Sequence, residues 1–196
     1  MGQVATWENP SIKNGKSMNN SIANIVIFLM FVLCSAWTGA KDAVALEGDW
    51  EVGMSPGAVI MPSRDIYGGG AEIFARYSVL DGLDIGVGAG AYGAHHGDDG
   101  GHALGIYSVR AGVMYALDIL QWVPRAGVHI SSIFSEDDRF SWHRGGHGMG
   151  IDFDIQVQYR GIRHVGIGVF FGYRLVFTDH DMMLAGLTVS WISGEF

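Results

Sequence analysis

An all-β fold, an eight-stranded antiparallel up-and-down transmembrane β-barrel, is what this sequence predicts. Three observations carry the prediction: apolar residues recur at every second position for about ten residues at a time, there are eight such segments, and the connections between them are mostly short at one end and longer at the other. Apart from one N-terminal stretch, no apolar run approaches the roughly 20 residues that a membrane-spanning helix requires, although 48% of the 196 residues are hydrophobic.

That N-terminal stretch has the order of a secretory signal peptide. Lys13 and Lys16 precede the apolar run Ile25 to Leu33, and small residues follow from Cys34 to Ala40. Residues 1–45 therefore read as a leader cleaved after Ala40 or Ala45, and residues 46–196 as the barrel. Ala43-Val44-Ala45 fits the small-x-small rule, whereas Ala40 lies at the more usual distance from the apolar run. Cys34 is the only cysteine and lies in the leader, so a processed chain holds no disulfide and no thiolate metal site. Leu33 before it does not fit a lipoprotein site.

Strands are predicted near Asp49 to Met61, Gly69 to Leu80, Leu83 to Ala94, Leu104 to Leu117, Trp122 to Phe134, Gly150 to Arg160, His164 to Phe177 and Met182 to Ile192. The sixth is the clearest: Ile151, Phe153, Ile155, Val157 and Tyr159 alternate with Asp152, Asp154, Gln156, Gln158 and Arg160. Asp81-Gly82 is a tight hairpin signal, and Asp118 to Gln121 and Gly161 to Arg163 are short. Pro62 to Gly68, His95 to Ala103 and Ser135 to Met149 are longer, with Thr178 to Asp181 the short exception at that end.

Alternation alone does not say whether the apolar face points to lipid or to a soluble core. The aromatic residues do. Trp50, Tyr77, Tyr115, Trp122, Tyr159 and Trp191 all fall on the apolar face at the end that carries the termini, as an interfacial girdle would, and Phe134 and Phe177 suggest a weaker one at the other rim. The polar face combines many glycines with Glu51, Glu72, Asp84, Asp152 and Asp154 against Arg76, Arg110, Arg125 and Arg174. Five carboxylates against four guanidiniums, inside a narrow barrel, predict a lumen filled by ion pairs rather than a wide channel.

The mature chain ends on an apolar strand bearing Leu187, Val189 and Trp191, with Phe196 at its terminus. In layout it resembles the small eight-stranded barrels of the OmpA, OmpX and OmpW type. The resemblance implies a bacterial outer-membrane location, outer-membrane lipid and the barrel-assembly machinery as partners, and a monomer with a structural or interaction role. A narrow porin-like pore, or a lateral route for small or apolar solutes, is the alternative. No peptidoglycan-binding domain is expected after the barrel, so that part of the OmpA family's role is not carried over. Beyond Ala45 every basic residue is an arginine, nine against 18 acidic residues, a balance with no footprint for nucleic acid.

Two constellations could carry chemistry. His95, His96, Asp98, Asp99, His143 and His147, with His102, His180, Asp137, Asp138, Asp179 and Asp181, fall in the longer loops and could hold a divalent ion if the loops converge, but their spacing matches no ordered ligand pattern and no cofactor is expected. His129-Ile130-Ser131 resembles part of the active site of the outer-membrane lipid A deacylases, with His129 as base and Ser131 as nucleophile on a lipid ester. Ser132 stands where that family has Asn, and strand parity sends both residues into the lumen, so the expectation is not an enzyme.

Overall fold

A computed structural model describes residues 48–97, 103–117, 119, 121–135, 147–162, 164–177 and 180–193. The expected leader, Phe196, and the loop residues Asp98, Asp99, His102, Asp137, Asp138, His143 and Asp179 lie outside the described residues. Eight strands follow one another: β1 Trp50–Met61, β2 Ile66–Leu80, β3 Leu83–His96, β4 Ala103–Ala116, β5 Trp122–Ser135, β6 His147–Ile162, β7 Val165–Val176 and β8 His180–Ile192. Each pairs antiparallel with its neighbours in sequence, and β1 pairs with β8 to close the barrel.

Closure leaves no free edge, and its register sets the shape. Followed from partner to partner round the wall, Trp50 leads through Tyr77, Ile85, Val113, Val128, Phe153, Tyr173 and Met183 to Ile60, ten residues further along β1. Ten residues climb about 33 Å over a perimeter of eight strands, about 38 Å, so the strands tilt by about 40° to the axis and the backbone cylinder has a radius of about 8 Å. Such a tube is wide enough for side chains and little else.

The two faces of this wall have opposite character. Inward positions are buried and largely polar, whereas outward ones such as Val52, Ile73, Val87, Ile130, Val169 and Leu187 are exposed and apolar. The alternation expected of β6 is observed throughout that strand, from Asp152 to Arg160 inward and Ile151 to Tyr159 outward.

The predicted girdle residues stand at one level round the end that bears the termini. Trp50, Trp122 and Trp191 are 53%, 53% and 51% exposed; Trp50 packs on Tyr77 with ring centres 4.9 Å apart, and Trp122 on Tyr159 at 5.1 Å. At the opposite rim the outward aromatics are Phe134 and Phe177, joined by Tyr67 and Tyr107. With the tilt derived above, the two levels are about 25–30 Å apart, close to the roughly 25 Å apolar band of membrane barrels.

Several strand boundaries differ from expectation, and three at the loop end have a clear cause. The connection expected at Pro62 to Gly68 is only a 3-10 turn, Pro62–Arg64, followed by Asp65 in the left-handed region at φ 51°. The Asp65 carbonyl accepts the Gly97 amide at 2.9 Å, which lets β2 and β3 pair up to Ile66 and His96. His147, expected in a loop, begins β6 because its backbone pairs with Phe134; His180 likewise begins β8 opposite Val176.

Glycine on the inner wall is required where strands and long side chains come close. A methyl group at Gly112 would collide with the Val128 carbonyl and His129, whereas one at the outward Gly93 meets nothing within 4 Å. Gly112→Ala is therefore expected to destabilise the barrel by about 1–3 kcal/mol and Gly93→Ala by less than about 0.5 kcal/mol. The midpoint of urea-induced unfolding from lipid vesicles measures both.

Candidate functional site: a three-layered lumen

The side chains that project inward fall into three layers along the axis. The layer nearest the termini is built round Glu51 and Arg125. Arg125 crosses the lumen from β5 and donates to Glu51 Oε2 at 2.6 Å, to Gln158 Oε1 at 2.6 Å and to Asp84 Oδ2 at 3.2 Å. Glu51 also accepts Gln158 Nε2 at 2.9 Å and Arg160 Nη2 at 3.2 Å, and Arg76 lies 3.7 Å away. Ser78 donates to Asp84 at 2.6 Å and Gln158 to Ser190 at 2.6 Å. Six strands, β1, β2, β3, β5, β6 and β8, are thus tied together across the lumen.

In the middle layer Arg110 reaches from β4 to pair with Glu72 of β2 and Asp154 of β6. His129 Nδ1 lies 3.0 Å from the same Asp154 carboxylate. Arg174 grips Asp152 with two parallel bonds, both 2.7 Å, and Ser131 donates to Asp152 at 2.7 Å. The forked guanidinium suits this bidentate geometry as a lysine ammonium would not, which gives a physical reason for an arginine-only lumen. β3 supplies the floor: a methyl group at Gly88 would lie 2.8 Å from Glu72 Oε1 and 3.2 Å from Arg110 Nε.

The layer towards the longer loops is apolar. Val59, Met61, Ile66, Tyr92, Ala94, Ile106, Ile133, Val176, Met182 and Leu184 form one buried cluster with Phe170 against it. Tyr92 and Ser108 mark its boundary with the charges, both folded over Gly90; their hydroxyls, with Gln156 Nε2, are buried without a hydrogen-bond partner among the described residues.

The structure places all nine charges named from the sequence on the lumen side, and adds a tenth. Arg160, on the same face of β6 as Asp152 and Asp154, is buried and pairs with Glu51. Five arginines then face five carboxylates, and the imbalance of five against four disappears. The apolar layer is the feature that alternation conceals. Its residues lie where both strand faces are apolar, as in Ala58 to Met61 and Met182 to Leu184, so no period-two contrast marks which side chains turn inward.

His129 and Ser131 are lumen residues engaged with Asp154 and Asp152, not with each other in a base and nucleophile pair. Of the candidate metal ligands, His95 and His147 face outward on β3 and β6, with β4 and β5 between them in the wall, and are not brought together. His147 Nε2 is instead 2.6 Å from Ser132 Oγ. His96 pairs through its backbone with Ile66. Among the described residues no group of three or more His, Cys, Asp or Glu side chains could hold a metal ion.

No protein-family model matches the chain, and no curated protein matches it. Solved structures do. Neisserial surface protein A is 16% identical over 73% of this chain and 95% of that one, with a TM-score of 0.56. The outer membrane protein OprG from Pseudomonas aeruginosa is 8% identical over 79% of this chain and 100% of that one, at 0.55. The chain has the fold of the small outer-membrane barrels. In that fold its lumen is closed twice over, once by balanced charge and once by apolar packing.

Removing one member of a buried pair strands the other. Arg174→Met, which leaves the Asp152 charge without its guanidinium, is expected to cost about 3–5 kcal/mol. Adding Asp152→Asn should restore most of that loss. Unfolding free energies of the two single variants and the double variant, combined as a cycle, measure the coupling.

Proposed function

We propose that the chain is an integral protein of the bacterial outer membrane with a structural and interaction role, a rigid barrel that carries its loops at one rim and conducts nothing through its axis. The observation that carries this reading is the inverted polarity of the wall: ten mutually paired charges inside, an exposed apolar band outside. Amphipathic aromatics bound that band at both rims, at the separation a hydrocarbon core requires. The likeness to barrels described as outer-membrane proteins agrees with it. Lipid is the main partner of such a surface. The apolar last strand, with Trp191 outward, suits the barrel-assembly machinery, and the chain acts as a monomer without a cofactor or nucleic acid. The role is not enzymatic: a base and nucleophile at His129 and Ser131 would be enclosed in the lumen, away from lipid.

Heat modifiability tests the placement. The full chain folded in detergent should migrate differently on a gel before and after boiling, because a closed membrane barrel resists the detergent until heated. Identical migration by a protein that stays soluble without detergent would overturn it. Planar-bilayer recording tests the role. Wild type should show no single-channel steps, and neither should Arg110→Ala, since the apolar layer stays in place when a charge is lost; stable steps in wild type would overturn the structural reading.

One observation favours a second reading, a lateral route for small apolar solutes. The β1–β8 ladder is interrupted between Met54↔Val189 and Gly57↔Gly186, where Pro56 has no N–H to donate. Behind the interruption Ser55 and Thr188 share a hydroxyl bond of 3.3 Å. Uptake of an apolar dye into vesicles that is abolished by a disulfide joining Ala58→Cys and Ala185→Cys, register partners beside the interruption, in a Cys34→Ser background, would favour this route over the structural reading.

A further inference from the structure

The outer wall is not uniformly bulky. Ala111 on β4 is flanked by Val87, Val109 and Ile130, and the short side chain among branched ones leaves an open, shallow crease of about 420 Å³. At its upper end, towards the longer loops, Ser132 joins the apolar lining beside its register partner Met149. The Ser132 hydroxyl lies 2.6 Å from His147 Nε2, and the His147 ring packs on Phe134 with centres 4.9 Å apart. A serine hydroxyl and an imidazole are out of place on a wall facing hydrocarbon unless they lie at its boundary.

The tilt of the strands puts them there. Ser132 is ten residues along β5 from Trp122 of the lower girdle, so it stands about 33 Å along the strand and about 25 Å along the axis. That is the thickness of the apolar band of a membrane barrel. Open apolar space therefore lies on the hydrocarbon side of the boundary, and a hydrogen-bonding pair lies at the level where lipid acyl chains join their polar part.

We propose that this crease is a lipid subsite. It seats one acyl chain of a lipid in the leaflet on the loop side, with the carbonyl oxygen of that chain's linkage accepting a hydrogen bond from the Ser132–His147 pair. The inference rests on the membrane placement proposed above. It is a binding site rather than a hydrolytic one: Ser132 lies in the paired interior of β5, between Val109 and Met149, so the neighbouring amides serve the sheet and none is left to stabilise an oxyanion. Ser132 and His147 lie 15 residues apart in the chain, on β5 and β6, so no local motif links them.

The test uses the full chain in nanodiscs of phosphatidylethanolamine and phosphatidylglycerol containing lipid A, transferred to detergent and examined by native mass spectrometry for lipid that stays bound. One retained acyl lipid per wild-type barrel is expected. Ala111→Phe, which fills the crease, should abolish retention, and Ser132→Ala or His147→Ala should weaken it about fivefold, the value of one hydrogen bond. Ala185→Phe, which adds the same bulk to the exposed outer face of β8, should change nothing. Equal retention in wild type, Ala111→Phe and Ser132→Ala would overturn the proposal, as would no retention by the wild type. Gel mobility before and after boiling, read on each sample, separates the two ideas. A heat-shifting barrel without bound lipid refutes the subsite alone, and a protein that shows no shift refutes the membrane placement.

Discussion

Arg125 and Glu51 hold the position on which the rest of the lumen depends. An isolated charge in a tube of about 8 Å radius would carry a large desolvation penalty, yet Arg125 is 2% exposed and Glu51 4% exposed. They persist because each is satisfied several times over. Arg125 directs separate donors to Glu51, Gln158 and Asp84, and Glu51 gathers Arg125, Arg160 and Gln158 in turn. Such a cluster tolerates little displacement of any contributing strand. It therefore fixes the register of strands that are distant in sequence and meet only across the barrel.

The rigidity that follows has a functional meaning. If displaced, the charged layers could still hydrogen-bond a hydrated solute, since guanidinium and carboxylate groups also bond water. Apolar packing could not, because a hydrated solute would lose its water on entering the layer of Val59, Met61, Ile106, Ile133 and Met182. With one barrier stacked on the other, axial passage would require both to open. The wall itself is the more accessible surface, and two irregular places on it, the interrupted β1–β8 ladder and the crease beside Ala111, are where an amphiphile or an apolar solute would meet something other than smooth hydrocarbon.

Closure and polarity are linked by the same geometry. A sheet closed on itself pairs each strand on both sides and presents no free edge strand to hydrocarbon. Once closed, each strand has an inside and an outside distinguished only by parity, and one residue of slip would exchange Asp152 with Ile151 or Arg174 with Leu175. The bidentate Asp152–Arg174 contact, between direct register partners on β6 and β7, opposes that slip as strongly as the lipid-facing pattern does.

The sequence by itself determined the strand pattern, the girdle and the choice of inward charges. All three are encoded in period two: Ile151 to Arg160 alternates cleanly, the six aromatics share one parity at one end, and Glu51, Arg76 and Arg125 share the other. Only the tertiary structure decided what depends on the ten-residue offset round the barrel. That offset brings Arg125 beside both Glu51 and Asp84, recruits Arg160 to complete the charge balance, and turns Val59, Ile106 and Met182 towards one another. It also raises Ser132 and His147 to the edge of the apolar band. Parity is a property of each strand alone, whereas height and opposition in a tilted barrel belong to all eight strands at once, and no single segment contains them.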